Sequence, residues 1–130
     1  MRLMGIDYGK KRVGIALSDE TGTIAMPYIV LKNNEELIKN IKEICIERDV
    51  QKIVIGLSLD FKGRPNFIVS DTDELKRNLE EELKISVVYE PEVLTTVEAG
   101  RLQGKIKNID ASAAAIILKS FIEKQKNDII

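Results

Sequence analysis

The chain opens with two short apolar runs, LMGIDY (residues 3–8) and VGIALS (13–18), both rich in β-forming residues and separated by GKKR, which reads as a hairpin loop. A turn at Glu20, Thr21 and Gly22 leads into a third run, TIAMPYIVL, whose Pro27 marks an edge strand because proline cannot donate to the ladder. Short links between successive strands predict an antiparallel meander. The period then changes. From Asn33 to Asp49, Leu37, Ile38, Ile41, Ile44 and Cys45 recur at helical spacing, with Asn33 or Asn34 available as the cap. KIVIGL (52–57) is too short and too uniformly apolar for a helix, and fits a strand buried on both faces. A loop with Gly63 and Pro65 precedes a charged helix over 71–83 that places Leu75, Leu79 and Leu83 on one face. ISVVYE (85–90) reads as a further strand, Thr95 and Glu98 match a capping box that starts a short helix, and Asp110 opens a last helix, ASAAAIILKSFIEK.

The order βββαβαβαα predicts one α/β domain over residues 1–130: a mixed sheet of five strands, the first three antiparallel, then βα crossovers with helices on the faces. Ligands of such sheets collect at the carboxyl ends of the parallel strands. Acids gather there in this chain. Asp7 lies near the end of the first strand, Asp60 just past the fourth, Glu90 and Glu92 at and past the end of the fifth, and Asp110 at the mouth of the last helix. Converging carboxylates repel unless a cation lies between them, so the pattern implies either raised pKa values or a bound metal.

Composition narrows the chemistry. A chain of 130 residues can bury about two thirds of its unfolded surface and fold without staples. Its net charge of −1 does not suit a general nucleic-acid coat protein, so any such partner must be held by a local patch. With no histidine and one cysteine, the chain lacks Ser/His and Cys/His nucleophile pairs, an imidazole base and a multi-cysteine zinc site. Oxygen ligands remain, and they favour magnesium, manganese or calcium. Two such ions about 3.5–4 Å apart can activate a water and stabilise the leaving oxygen of a phosphodiester without a protein nucleophile. Lys10, Lys11 and Arg12 beside the acids, with Lys62 and Arg64 after the fourth strand and Lys105 and Lys107 further on, would hold the flanking phosphates. No run approaches the roughly 18 apolar residues of a membrane span and the amino terminus has no signal-peptide core, so a cytoplasmic location is expected.

Each residue also has a plainer role. Asp110 suits a helix cap, Glu98 suits the capping box with Thr95, Asp60 suits a solvated loop, and the lysines suit a soluble hairpin tip. Asp7 could pair with Lys10 or Arg12, although acids are depleted in strand interiors and rarely buried unpaired.

Taken together, "GIDYGKKRVGIALSD", "IVIGLSLDFKG", "EVLTTVEA" and "DASAAAIILKSFIE" resemble, in order and spacing across nearly the whole chain, the YqgF family of Holliday-junction-resolvase-like proteins, also described as nucleases of small-subunit ribosomal RNA precursors. The resemblance implies an RNase H-like fold and a metal-dependent endonuclease, a hydrolase acting on ester bonds, which processes the 5′ end of precursor 16S rRNA in ribosome biogenesis with Mg²⁺ or Mn²⁺. It also implies Asp7, Glu92 and Asp110 as the catalytic, metal-binding set. The alternatives are resolution of Holliday junctions in DNA recombination and repair, and a catalytically weakened nucleic-acid-binding module; the expected state is monomer or homodimer. A nucleotide-binding role of the actin and Hsp70 type, with a similar D-x-G hairpin, would need two lobes and several hundred residues. The chain departs from the family where Pro91, Glu92 and Val93 replace the usual Asp-Glu-Arg, and where Ser58 and Asp60 replace a common proline and asparagine. In an RNase H-like sheet the fifth strand lies about 10 Å from the first, so Glu92 must reach across or Asp60 must take its place.

Overall fold

Leu3, Met4 and Ile6 are apolar on both sides of the chain's first strand, and β1 (Arg2–Tyr8) accordingly buries both of its faces at the centre of the sheet. The computed structural model describes residues 1–58, 69–92 and 111–128. β2 (Arg12–Ser18) runs antiparallel on one side of β1 and β3 (Ala25–Lys32) antiparallel beyond it; β4 (Val50–Ser58) runs parallel on the other side and β5 (Ser86–Glu92) parallel beyond that, giving the order β3-β2-β1-β4-β5. The expected meander, both crossovers and the edge position of Pro27 are all present.

Period-2 alternation divides the core in two. On one face Met4, Ile6, Ile15, Ile53 and Ile55 pack against α1 (Leu37–Glu47) and α2 (Val69–Leu83) through Leu37, Ile41, Leu75 and Leu79. On the other, Leu3, Ala16 and Val54 pack against α3 (Ala111–Asp128) through Ala114, Ile117, Leu118 and Ile122. Because β4 contributes Ile53 and Ile55 to one cluster and Val54 to the other, it reads as an unbroken apolar run in the sequence.

Two helix starts differ from the sequence expectation. α1 begins at Leu37, four residues after Asn33, and neither asparagine caps it. Asn34 is engaged in the turn before the helix, where its Oδ1 accepts from the Glu36 amide at 2.9 Å and its carbonyl from the Leu37 amide at 3.1 Å. Asn33 faces backwards to the β1–β2 hairpin: its amide donates to the Lys11 carbonyl at 2.9 Å and its Nδ2 to the Gly9 carbonyl at 2.7 Å. α2 starts at Val69, earlier than expected. The short helix expected at Thr95 lies outside the described residues.

The β2–β3 pairing contains a bulge. Ala16 faces Pro27 but Ile15 faces Ile29, so Tyr28 has no residue opposite it. The extra residue sits next to the proline, where the ladder lacks a donor, and Arg48 braces its ring from 5.4 Å.

Gly5 fixes the distance between the central strand and α3. A Cβ at this position would lie 2.8 Å from the Ala114 carbonyl oxygen and 2.9 Å from the Leu118 Cβ, so the helix backbone touches the strand backbone directly. Neither atom is the tip of a flexible side chain that can swing away. Gly5→Ala is therefore expected to destabilise the protein by about 1–3 kcal/mol, as overpacking of a filled site does. Urea unfolding measures this, and an unchanged midpoint would place the helix further from β1.

Asp19 closes the turn between β2 and β3. Its Oδ2 accepts from the Thr21 hydroxyl at 2.6 Å, and its Oδ1 accepts from the amides of Thr23 at 2.8 Å and Ile24 at 3.1 Å. These bonds, that from Thr21 foremost, hold the carboxyl well below its usual value of 3.8. A depressed folded-state pKa contributes stability above the unfolded-state value and loses it as pH falls toward the folded one. The destabilisation caused by Asp19→Ala should therefore be full at neutral pH and shrink steadily below about pH 4, as denaturant melts across that range would show. A difference independent of pH would contradict the ionic role of this turn.

Candidate active site

Asp7 follows Leu3 and Gly5 on the α3 face of β1, and it is half-buried. Its antiparallel neighbour is Gly14. Continuing the parallel register of Ile6 with Ile55 by one residue brings Gly56 to its other side. A carboxylate near the carboxyl end of the central strand thus has a glycine on each flanking strand, and no sheet neighbour's side chain fills the space beside it. Arg12 makes no ion pair among the described residues, so the plainer Asp7–Arg12 pairing is not formed.

The same row of the sheet continues from Gly56 to Glu90. Sequence reasoning put Glu90 at the strand's end among the converging acids, but β5 runs two residues further and Glu90 lies within it, 3 % exposed. α3 satisfies it: Lys124 Nζ is 2.6 Å and the Ser120 hydroxyl 2.8 Å from its Oε2. A buried carboxylate held by a cation and a hydroxyl ties β5 to α3 and is not available to a ligand. Glu92, the last residue of β5, pairs with Ser58, two residues beyond the row of Asp7 and two strands away from β1. Its backbone is about 10 Å from β1 across the sheet. Asp60 and Asp110 lie outside the described residues. Of the expected ligand set, Asp7 is the member whose side chain is described, and no group of three acids or cysteines converges among the described residues.

The cations form a second feature. Lys10, Lys11 and Arg12 are all exposed on the β1–β2 hairpin; Lys62, Arg64, Lys105 and Lys107 lie outside the described residues. Sequence reasoning missed a fourth cation, Lys32, which the bulged β2–β3 register sets directly opposite Arg12. Arg12 is two residues from Gly14 on β2, so Arg12 and Lys32 share the face of Asp7 about 7 Å along the strands. A groove of about 540 Å³ lies between the hairpin and the β3–α1 turn, lined by these cations and by Asn33 and Asn34.

Cysteine chemistry is absent from this arrangement. Cys45 is on the buried face of α1, and burial pushes its thiol up to about 12, so it offers no thiolate at neutral pH. Tyr89 is tied to Asp73 across α2 and β5; partial burial and that carboxylate push its hydroxyl up to about 12 as well. Among the described residues no helix is long and apolar enough to cross a membrane.

Comparison with known proteins agrees with this architecture. Over 98 % of the chain and 96 % of its counterpart, the fold matches Thermus thermophilus RuvC in complex with a Holliday junction substrate, at a TM-score of 0.64 and 13 % identity. The fowlpox virus resolvase with junction DNA matches over 96 % of the chain and 99 % of its own, at a TM-score of 0.59 and 10 % identity. These neighbours establish an RNase H-like fold. In sequence, a relative from Caldanaerobacter subterraneus subsp. tengcongensis is 36 % identical, covering 98 % of this chain and 99 % of its own. A Bacillus cereus relative is 34 % identical over 96 % of this chain and all of its own. Both carry the name of candidate pre-16S rRNA nucleases. With the family model described as "RuvX: Holliday junction resolvase" matching residues 1–124, the chain belongs to the RuvX family and is a nuclease, a hydrolase of ester bonds.

Proposed function

We propose that this nuclease is a Mg²⁺- or Mn²⁺-dependent endonuclease of the cytoplasm, a single RNase H-like domain over residues 1–130 that processes the 5′ end of precursor 16S rRNA. The observation that carries the reading is Asp7: a half-buried acid at the end of the central strand, flanked by Gly14 and Gly56 on the face covered by α3. The names of the full-length relatives favour precursor rRNA as the substrate.

Asp7, Glu92 and Asp110 are the proposed metal ligands and catalytic acids, with Asp60 as a further donor. All are oxygen donors in a chain without histidine, a set that suits a hard cation. A divalent cation bound there would lower the pKa of a water and offset charge on the leaving oxygen. A two-ion site would let Glu92, at the end of the second strand from β1, serve as a ligand together with Asp7. The gaps at Gly14 and Gly56 give the scissile phosphate access to Asp7. Lys10, Lys11, Arg12, Lys62 and Arg64 hold the phosphates on either side, which fixes register without reading bases.

The test is cleavage of a precursor 16S rRNA fragment, with a four-way DNA junction in parallel, in Mg²⁺, in Mn²⁺ and in excess chelator. Cutting of the RNA near the mature 5′ end, lost with chelator, is the expected result. Asp7→Asn should lower the rate by more than about 100-fold, since even partners behind a metal ligand cost 10–100-fold. Its thermal midpoint, measured in parallel, separates loss of the site from loss of the fold. Cutting of the junction alone would replace precursor rRNA with branched DNA as the substrate, and full activity of Asp7→Asn would remove Asp7 from the site.

A further inference from the structure

Arg12 and Lys32 stand directly opposite each other on an antiparallel pair, an arrangement that costs stability when both charges have the same sign. No carboxylate among the described residues makes an ion pair with either of them, or with Lys11. Five other described cations are matched, Arg2 with Glu20, Lys39 with Glu36, Lys42 with Glu82, Lys76 with Glu80 and Lys124 with Glu90. Arg77, Lys84, Lys119 and Lys126 make no ion pair among the described residues either, but of the unmatched cations Arg12 and Lys32 are the two set directly opposite each other in the sheet. The whole chain carries a charge of only −1, so the unmatched cations do not reflect a generally basic protein.

The juxtaposition is built by two devices. Continuing the pairing of Ser18 with Ala25 along a regular ladder would put Leu31 opposite Arg12; the bulge at Tyr28 advances β3 by one residue and brings up Lys32 instead. Half-buried Asn33 then ties the hairpin to the end of β3 through the Gly9 and Lys11 carbonyls, which holds the backbones of the two cations side by side.

We infer that the groove between the β1–β2 hairpin and the β3–α1 turn binds the phosphate backbone of the substrate strand next to the scissile bond, with Lys11, Arg12 and Lys32 as phosphate contacts and Asn33 as the residue that positions them. The inference rests on the nuclease reading of Asp7 and gives the substrate strand a direction, out over the β2–β3 side of the sheet. Arg12 and Lys32 lie on Asp7's face about 7 Å further along the strands, where a neighbouring phosphate of the same strand can meet them. Phosphate binding removes the repulsion that the free protein carries.

The experiment measures binding of a labelled single-stranded RNA to the otherwise intact chain carrying Asp7→Asn, as a function of salt. Each lost phosphate contact should lower the slope of log K against log[salt] by about 0.7. Lys32→Gln and Arg12→Gln are each expected to do so and to weaken binding several-fold at about 0.1 M salt. The double variant should lower the slope by about 1.4. Asn33→Ala, which removes no charge, should weaken binding and also lower the slope, because the cations lose their placement. Lys39→Gln, which removes a paired charge on α1, is the control and should leave the slope unchanged. If Lys32→Gln behaves like Lys39→Gln, the groove does not hold the strand. Cleavage by the unmodified protein is scored separately: RNA bound with these slopes but never cut would end the nuclease mechanism and leave the groove standing, whereas normal cutting with no slope change would end the groove alone.

Discussion

The contact on which the rest depends is the approach of α3 to β1 at Gly5. The carbonyl of Ala114 and the Cβ of Leu118 occupy the space that any side chain at this position would need. Ala111, the first described residue of α3, is one turn from that contact, about 4.5 Å along the helix axis. Asp7 is the next residue of β1 on the same face. The packing of the apolar cluster around Leu3, Val54, Leu118 and Ile122 therefore also sets how far the acidic strand end lies from the helix that covers it.

Charge is distributed on that face in two ways. Glu90, level with Asp7, is bound by Lys124 and Ser120 and joins β5 to α3 as part of the framework. Arg12 and Lys32 do the reverse: they are set side by side without an acid partner among the described residues, held by the bulge at Tyr28 and by Asn33. Glu90 is paired inside the framework, whereas Arg12 and Lys32 are kept near one another at some cost in stability. The contrast stands out in a protein whose acids and cations are nearly balanced overall.

Much of this was legible in the sequence. The switch from period 2 to helical spacing gave the element order, and the Leu75, Leu79, Leu83 spacing gave the buried face of α2. An acid in the middle of an apolar strand singled out Asp7. What stayed hidden depended on relations between distant segments. Lys32 becomes a neighbour of Arg12 only through a bulge, and a one-residue shift in strand pairing leaves no trace in hydrophobic alternation at a polar strand end. Glu90 read as a strand-end acid because nothing near it in sequence announces Lys124. Asn33 and Asn34 read as caps because the same side-chain chemistry that caps helices also closes turns, and here the hairpin and the turn claimed both.

The central claim is that Asp7 binds a divalent ion at the carboxyl end of β1. Crystals of the intact protein soaked in Mn²⁺, with anomalous diffraction collected at the manganese edge, address it most directly. The account predicts an anomalous peak about 2.1 Å from an Asp7 carboxylate oxygen, on the face shared with Gly5 and α3. Manganese bound only at other carboxylates, with the Asp7 oxygens in contact with protein groups alone, would contradict it.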